Sequence, residues 1–412
     1  MKVLWLSNIG FNLSPIQSSG TWLISMGNAL ISTGKVELYN ICPTSNKNKY
    51  YKNENINKIS QWNVPIEKLD KCGLPSKKTI KYIQDIVDEL NPDIIHIWGV
   101  ENYWGLLSSR KLIKGNVLLE IQGLKYACAK VFFGGLIFKE KIKCIGIKEI
   151  LYPNKSIFAS KNRFEKWSKF EFEIIKYHCN ISTQSDWIRA HVISMNPDCK
   201  IYETGIILRE EFTKSESWKR TKDNPVLFTT ISGAFAYKGL HVLLRAVSIL
   251  KLYYPNIKLK IAGSQINGRR TSGYFKFLIS EAKRKNILDS IEWLGCLDAK
   301  EIVHHLQISS VAVIPSFVES YSLSLAEAMV LGVPCVVAFS GAMPELATDN
   351  KSALFYSAMD EIMCASQIRR IIENKELATK ISINAKETGI SRNNPLNVVN
   401  KQIEIYNSLF RS

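Results

Sequence analysis

The chain has 412 residues, 46% of them hydrophobic and 22% charged, with a formal net charge of +17. That length suits two domains rather than one core, and the composition is that of a folded globular protein, which excludes a disordered chain. The longest apolar runs fall well short of the roughly 18 residues that span a bilayer, and Val3-Leu-Trp-Leu6 is too short for a secretory leader and reads as a first strand.

From the N-terminus, apolar strand-like runs alternate with amphipathic helical stretches. Strands are expected at 3–7, 36–41, 93–97, 117–121, 180–183 and 200–203, and helices at 21–32, 79–90 and 161–176. Such alternation means a parallel sheet flanked by helices. Ser18-Ser-Gly-Thr-Trp22 opens the first helix, and Gly20 there would let the backbone approach a ligand. Residues 204–224 lose the apolar rhythm, so a first domain is placed at 1–204 and a linker at 205–224. Strands then follow at 226–231, 258–262, 290–293, 310–314 and 335–338. Helices are expected at 238–254, 272–285, 299–307, 361–373, 378–387 and 396–410. These give a second domain over 225–395 and a terminal helix over 396–412.

Nine cysteines stand singly, with no Cys-x-x-Cys pair and no histidine at zinc spacing. An odd, dispersed set points to reduced thiols in the cytoplasm, no disulfide and no structural metal. The positive charge is spread without a block of five or six, which argues against nucleic acid as a partner. It fits either attraction to an anionic membrane or a genome rich in lysine codons. Residues 130–148 interleave bulky apolar side chains with Lys130, Lys139, Lys141, Lys143 and Lys148. That pattern suits either a segment lying in a membrane interface or a partly buried loop and helix with a solvated edge.

Residues 315–334 say most about chemistry. They set Glu319 in the loop after the strand at 310–314 and Glu327 on the helix that follows. Ligands of an open parallel sheet bind beyond the carboxyl ends of its strands, where loops lead into helix N-termini. The amides of Ser320, Tyr321, Ser322 and Leu323 are expected among the free donors of that first turn. Phosphate or sugar oxygens suit those amides, sugar hydroxyls suit Glu319, and the two hydroxyls of a ribose suit Glu327. The competing reading is a capping box in which Glu327 satisfies only the backbone at Ser324. Lys238 precedes a helix where the dipole disfavours a cation, a placement that a bound anion would explain. Gly263 and Gly295, the latter followed closely by Leu297, lie at two more strand ends and are expected to line a base.

The paired glutamates, the Gly332-Val-Pro334 exit and Ser340-Gly-Ala-Met-Pro-Glu-Leu346 resemble the donor-site signature of glycosyltransferase family 4, the retaining glycosyl transferases group 1. Ile231-Ser-Gly-Ala-Phe-Ala-Tyr-Lys-Gly-Leu-His-Val-Leu-Leu244 is similar to a second segment of that family. The resemblance implies an α/β GT-B fold: two Rossmann-like domains with parallel sheets facing a central cleft, the last helix returning to the first domain. It implies that Glu319 contacts the donor sugar, Glu327 the ribose, residues Ser320 to Leu323 the sugar and diphosphate, and Lys238 the diphosphate. Lys238 and Glu319 would carry catalysis. Two positions depart from the pattern. Gly233 stands where many members have an arginine, with Arg209, Arg269 or Arg270 as candidate replacements. Gln122 stands where many have a histidine beside the sugar, and His96 is a further candidate for the acceptor or sugar site.

The implied activity is transfer of a hexose or N-acetylhexosamine from a UDP- or GDP-sugar to an acceptor hydroxyl, with retention, no metal and no cofactor. The expected setting is cell-surface polysaccharide assembly on a lipid-linked acceptor at the inner face of the plasma membrane. Rival readings are a non-catalytic binding or scaffold subunit, a nucleotide-sugar epimerase, and a phosphorylase carrying pyridoxal phosphate on a lysine.

Overall fold

The computed structural model describes residues 1–11, 22–44, 50–56, 58–220, 224–231, 235–263 and 272–411. Gly20, Gly233, Arg269 and Arg270 lie outside the described residues. The first sheet contains β1 (Lys2–Leu6), β2 (Glu37–Thr44), β3 (Tyr51–Ile56), β4 (Ile59–Pro65), β5 (Ile94–Trp98), β6 (Val117–Glu120), β7 (Asn180–Thr183) and β8 (Lys200–Glu203). Its order is β3-β4-β2-β1-β5-β6-β7-β8. The second contains β9 (Val226–Ile231), β10 (Lys258–Gly263), β11 (Ile291–Gly295), β12 (Val311–Ile314), β13 (Cys335–Ala338) and β14 (Leu354–Tyr356), in the order β11-β10-β9-β12-β13-β14.

Strands buried on both faces read as unbroken apolar runs. That is the pattern of Val3 to Leu6 in β1, of β12 and of β13, all buried along their length. Each sheet reverses direction of winding beside its first strand, between β1 and β5 and between β9 and β12. A crevice opens at such switch points, and the loops after β9 and β12 carry Lys238 and Glu319.

One expectation is corrected at the edge of the first sheet, which is not purely parallel: β3 runs antiparallel to β4. The hairpin escapes a hydrophobic reading because β4 turns Gln61 and Asn63 inward. They form a polar chain in which Asn40 Nδ2 donates to Gln61 Oε1 at 3.1 Å and Gln61 Nε2 to Asn63 Oδ1 at 3.1 Å. Such a buried chain is tolerable because its members bond one another.

Between the sheets, residues 205–220 are packed on the second domain. Ile206, Ile207, Leu208, Phe212 and Trp218 are buried, and Trp218 Nε1 donates to the Ser309 carbonyl at 2.6 Å. Their irregular spacing hides them among charges. The last helix, Pro395–Phe410, packs under the first sheet. Its Tyr406 hydroxyl accepts from Trp5 Nε1 at 3.1 Å and lies 2.7 Å from His96 Nδ1.

Candidate active site

The second-domain wall of the cleft is built by two close approaches that only glycine permits. Gly239 sits at φ +73°, where a Cβ would fall 1.8 Å from the Pro315 carbonyl oxygen, so the Lys238 turn is drawn against the end of β12. Gly341 sits at φ +54°, where a Cβ would fall 2.2 Å from the Glu319 carbonyl oxygen, and the Ala342 amide donates to that oxygen at 2.8 Å. These contacts bring Lys238 Nζ to 2.6 Å from Glu319 Oε1.

The helix Leu323–Leu331 begins at Ser322, which adopts φ 72°, ψ 80° and whose hydroxyl accepts from the Leu325 amide. The cap therefore lies two residues ahead of Ser324, and the Ser324–Glu327 capping box does not form. Ser324 instead hydrogen-bonds the Thr230 hydroxyl. Glu327, one turn in, meets Arg209, whose Nη2 and Nε reach its Oε1 at 2.7 and 3.2 Å. Burial pushes the Glu327 carboxyl above the usual range while Arg209 opposes that rise. Ser320 to Leu323 present amides that find no partner among the described residues. Tyr321 turns its hydroxyl away from the cleft, accepting from Asn393 Nδ2 at 2.6 Å.

The facing wall comes from the first domain. Ser320 Oγ donates to the Gln122 carbonyl at 2.5 Å, and Ser185 Oγ donates to the Ser320 carbonyl at 2.9 Å. Glu345, from the Ser340 to Leu346 segment, accepts from the amides of Asp186 and Trp187 at 2.7 and 2.8 Å. An anion at that helix N-terminus is favoured by the free amides and the dipole. The donor loop is thus tied directly to the first domain.

Gln122 Nε2 is buried with no hydrogen-bond partner among the described residues, and so is Glu101 Oε2. Glu101 folds between Gly99 and Gly123: a Cβ on Gly99 would fall 2.2 Å from Glu101 Oε2, and one on Gly123 would fall 2.7 Å from Oε1. Burial raises its pKa. Lys125 Nζ donates to the Glu101 carbonyl at 2.6 Å, and burial lowers the pKa of that amine. Nearby, Glu171 accepts from the Lys125 and Tyr126 amides at 2.7 and 2.8 Å, yet burial still raises it to about 7.

These walls enclose a cleft of about 1230 Å³, open solvent included. Gln122, Lys238, Gly263, Leu297, Glu319 to Leu323 and Glu327 all line it. Trp22, Gln184, Arg209, Thr230 and Cys296 line it too. Of these, only Arg209 stands out in the sequence, as a candidate replacement for the arginine absent at Gly233. Gly295 does not reach the lining, which Cys296 and Leu297 supply instead. His96 is also misplaced by sequence. Because β5 is buried on both faces, its ring is fully enclosed, stacked 3.9 Å from Trp98 with Nε2 3.8 Å from Glu120. Burial lowers its pKa in spite of that carboxylate. Among the described residues no group of three or more His, Cys, Asp or Glu side chains is placed to hold a metal, and no helix is long and apolar enough to cross a membrane.

Two parallel-sheet domains closing on a charged cleft define the GT-B class of α/β fold. Residues 212–388 match the family model described as glycosyl transferases group 1. An uncharacterized glycosyltransferase of Bacillus subtilis, YqgM, is 27% identical over 175 residues, 42% of this chain and 47% of its own length. The chain spans less than half the length of the curated relatives it first matches. Among solved structures, sucrose-phosphate synthase from Thermosynechococcus elongatus aligns with TM-score 0.76 at 14% identity, over 100% of this chain and 99% of that one. Anabaena HepE in complex with UDP and glucose aligns with TM-score 0.68 at 14% identity, over 99% and 100%.

Proposed function

We propose that the protein is a glycosyltransferase moving a hexose or N-acetylhexosamine from a UDP- or GDP-sugar to an acceptor hydroxyl, with retention and without a metal. The observation that carries this reading is the convergence of Lys238, Glu319, Arg209, Glu327 and unpartnered amides on one cleft. The similarity to a fold that binds UDP and glucose in HepE favours a nucleotide-sugar donor.

The two ion pairs suggest how a donor is received. A diphosphate entering the cleft draws Lys238 away from Glu319, which frees that carboxylate for sugar hydroxyls. Both Arg209 contacts fall on Oε1 of Glu327, so Oε2 is left for the ribose, and Arg209 supplies a cation in place of the one missing at Gly233. As the glycosidic bond breaks, charge grows on the leaving phosphate. Lys238 and the helix amides stabilise it without reorganisation, and a phosphate oxygen takes the acceptor proton on the same face. Closure of the donor loop against Gln122 excludes water that would hydrolyse the donor.

Cell-surface polysaccharide assembly on a lipid-linked acceptor at the inner face of the membrane is the setting this reading assigns. Nucleoside diphosphate release should be measured with a panel of UDP- and GDP-sugars, with and without EDTA, and product configuration read by NMR. Acceptor-dependent release that survives EDTA is expected. Failure of every donor to bind or react would overturn the proposal and favour a scaffold role.

A further inference from the structure

Residues 131–158 leave the first domain after the helix Lys125–Lys130 and cross to the second. Their inner side is fixed there. The Gly134 carbonyl accepts from His241 Nε2 at 2.8 Å, Glu140 pairs with Arg245 at 2.5 Å, and Glu149 accepts from the Gly273 amide at 3.0 Å. Their outer side is different in kind. Ile137, Phe138, Ile147, Ile150, Leu151 and Tyr152 are each more than half exposed, from 54% for Tyr152 to 77% for Ile147. Exposed apolar side chains so concentrated mark an interaction surface.

Charge tells which surface covers them. The excursion contains two carboxylates, Glu140 and Glu149, and both are engaged inward, as above. Its five lysines, Lys139, Lys141, Lys143, Lys148 and Lys155, are interleaved with the exposed apolar residues. We propose that this outer face docks on an anionic phospholipid bilayer, with the apolar side chains at the acyl boundary and the lysines on headgroups. A second copy of the chain is disfavoured as the occupant, because apposing the face with itself sets lysines against lysines with no carboxylate between them.

The excursion that carries this face starts beside the cleft. Phe132, at the start of the excursion, packs its ring 5.8 Å from those of Phe235 and Tyr237, next to Lys238. The acceptor is then a lipid-anchored sugar delivered from the bilayer; this clause rests on the transferase reading, whereas the docking itself does not.

The full chain should be sedimented with vesicles of phosphatidylcholine alone and of phosphatidylcholine with phosphatidylglycerol. Binding to the anionic vesicles alone, reversed by high salt, is expected. The triple variant Phe138→Ser, Ile147→Ser, Ile150→Ser should bind them at least about tenfold more weakly, with an unchanged thermal melt since all three side chains are exposed. Lys139→Ala, Lys141→Ala, Lys143→Ala should lose most of the salt dependence. No sedimentation with either vesicle, unaltered binding by the apolar variant, or a lipid-free dimer that this variant abolishes would each overturn the proposal. Nucleoside diphosphate release with a soluble acceptor, run in parallel, separates the two claims: vesicle binding by a protein that releases none fails the transferase reading alone.

Discussion

The two walls of the cleft treat their buried polar groups in opposite ways. Among the described residues, the charged side chains that line the cleft from the second domain are paired, Lys238 with Glu319 and Arg209 with Glu327. On the first domain the neutral amide of Gln122 lines the cleft, its buried Nε2 without a hydrogen-bond partner among the described residues. An unpaired buried charge costs several kcal/mol, whereas an unsatisfied neutral group costs about 1–3 kcal/mol. Charged groups therefore keep their partners, whereas a neutral amide tolerates an open hydrogen bond. A ligand seated against Lys238 would therefore open its pair with Glu319, which favours a ligand bringing its own negative charge, while the facing wall has only hydrogen bonds to offer.

The sharpest way to break this contrast is to remove the cation. Lys238→Ala should lower turnover by about a hundred- to a thousandfold, the size seen when one preorganised stabiliser of developing charge is lost. Donor affinity should fall much less, because the variant also spares the donor the work of opening the Lys238–Glu319 pair. Turnover within tenfold of the parent would show that the paired wall is not where charge is stabilised.

The join between the walls should respond to pH. His241 Nε2 donates to the Gly134 carbonyl and its Nδ1 lies 3.0 Å from the Tyr274 hydroxyl, a set satisfied by neutral imidazole with Tyr274 as donor. Burial pushes its pKa down to about 4. Since the folded protein binds this proton less readily than the unfolded chain, whose imidazole titrates near 6.5, the contribution is full above that value. It is lost as pH falls from there toward 4, and amounts to about 3 kcal/mol at most. Denaturant unfolding at pH 7 and pH 4.5 should show this loss, and His241→Gln should flatten the difference. An equal loss in the variant would assign the acid sensitivity elsewhere.

A smaller effect sharpens the account of the donor wall. Arg209→Ala leaves Glu327 buried without the cation that opposes its raised pKa, which favours the protonated carboxyl, a poorer acceptor for two ribose hydroxyls. Donor affinity should weaken about ten- to a hundredfold. The double variant Arg209→Ala, Glu327→Ala should lose less than the sum of the single losses, as expected for side chains in contact. Additive losses by calorimetry would mean that the two act on the donor separately.

What the sequence discloses differs between the walls for the same physical reason. Donor-wall residues lie on strand ends and first helical turns, where local rules of periodicity, glycine and dipole apply. Glu319, Glu327 and Lys238 are accordingly readable from the sequence as residues of the cleft. Arg209 came into view only as one of three candidate cations, because it sits in a stretch without apolar rhythm and nothing local marks it as the partner of Glu327. Glu101 has no local signature at all, since its confinement depends on glycines at the ends of two strands, Gly99 and Gly123. His96 shows the converse error: a histidine at a strand end looks like a site residue, and only the packing of Tyr406 from the far end of the chain reveals it as core. The β3–β4 hairpin was hidden because its inward residues are polar.

The smallest expected effect concerns Ser322, the non-glycine residue at φ 72° that starts the donor-wall helix. An L-residue in that region costs about 1–2 kcal/mol. Ser322→Gly removes this cost but loses the capping hydroxyl, worth a few tenths on replacement by glycine, and loosens the unfolded chain by about 0.4–1 kcal/mol. The terms nearly cancel, and stability should change by less than about 0.5 kcal/mol. Ser322→Ala keeps the backbone cost and still loses the cap, so it should destabilise by about 1 kcal/mol. Urea midpoints of the two variants decide the matter. A glycine variant as unstable as the alanine one would mean that the hydroxyl, rather than the backbone, holds the donor loop in place.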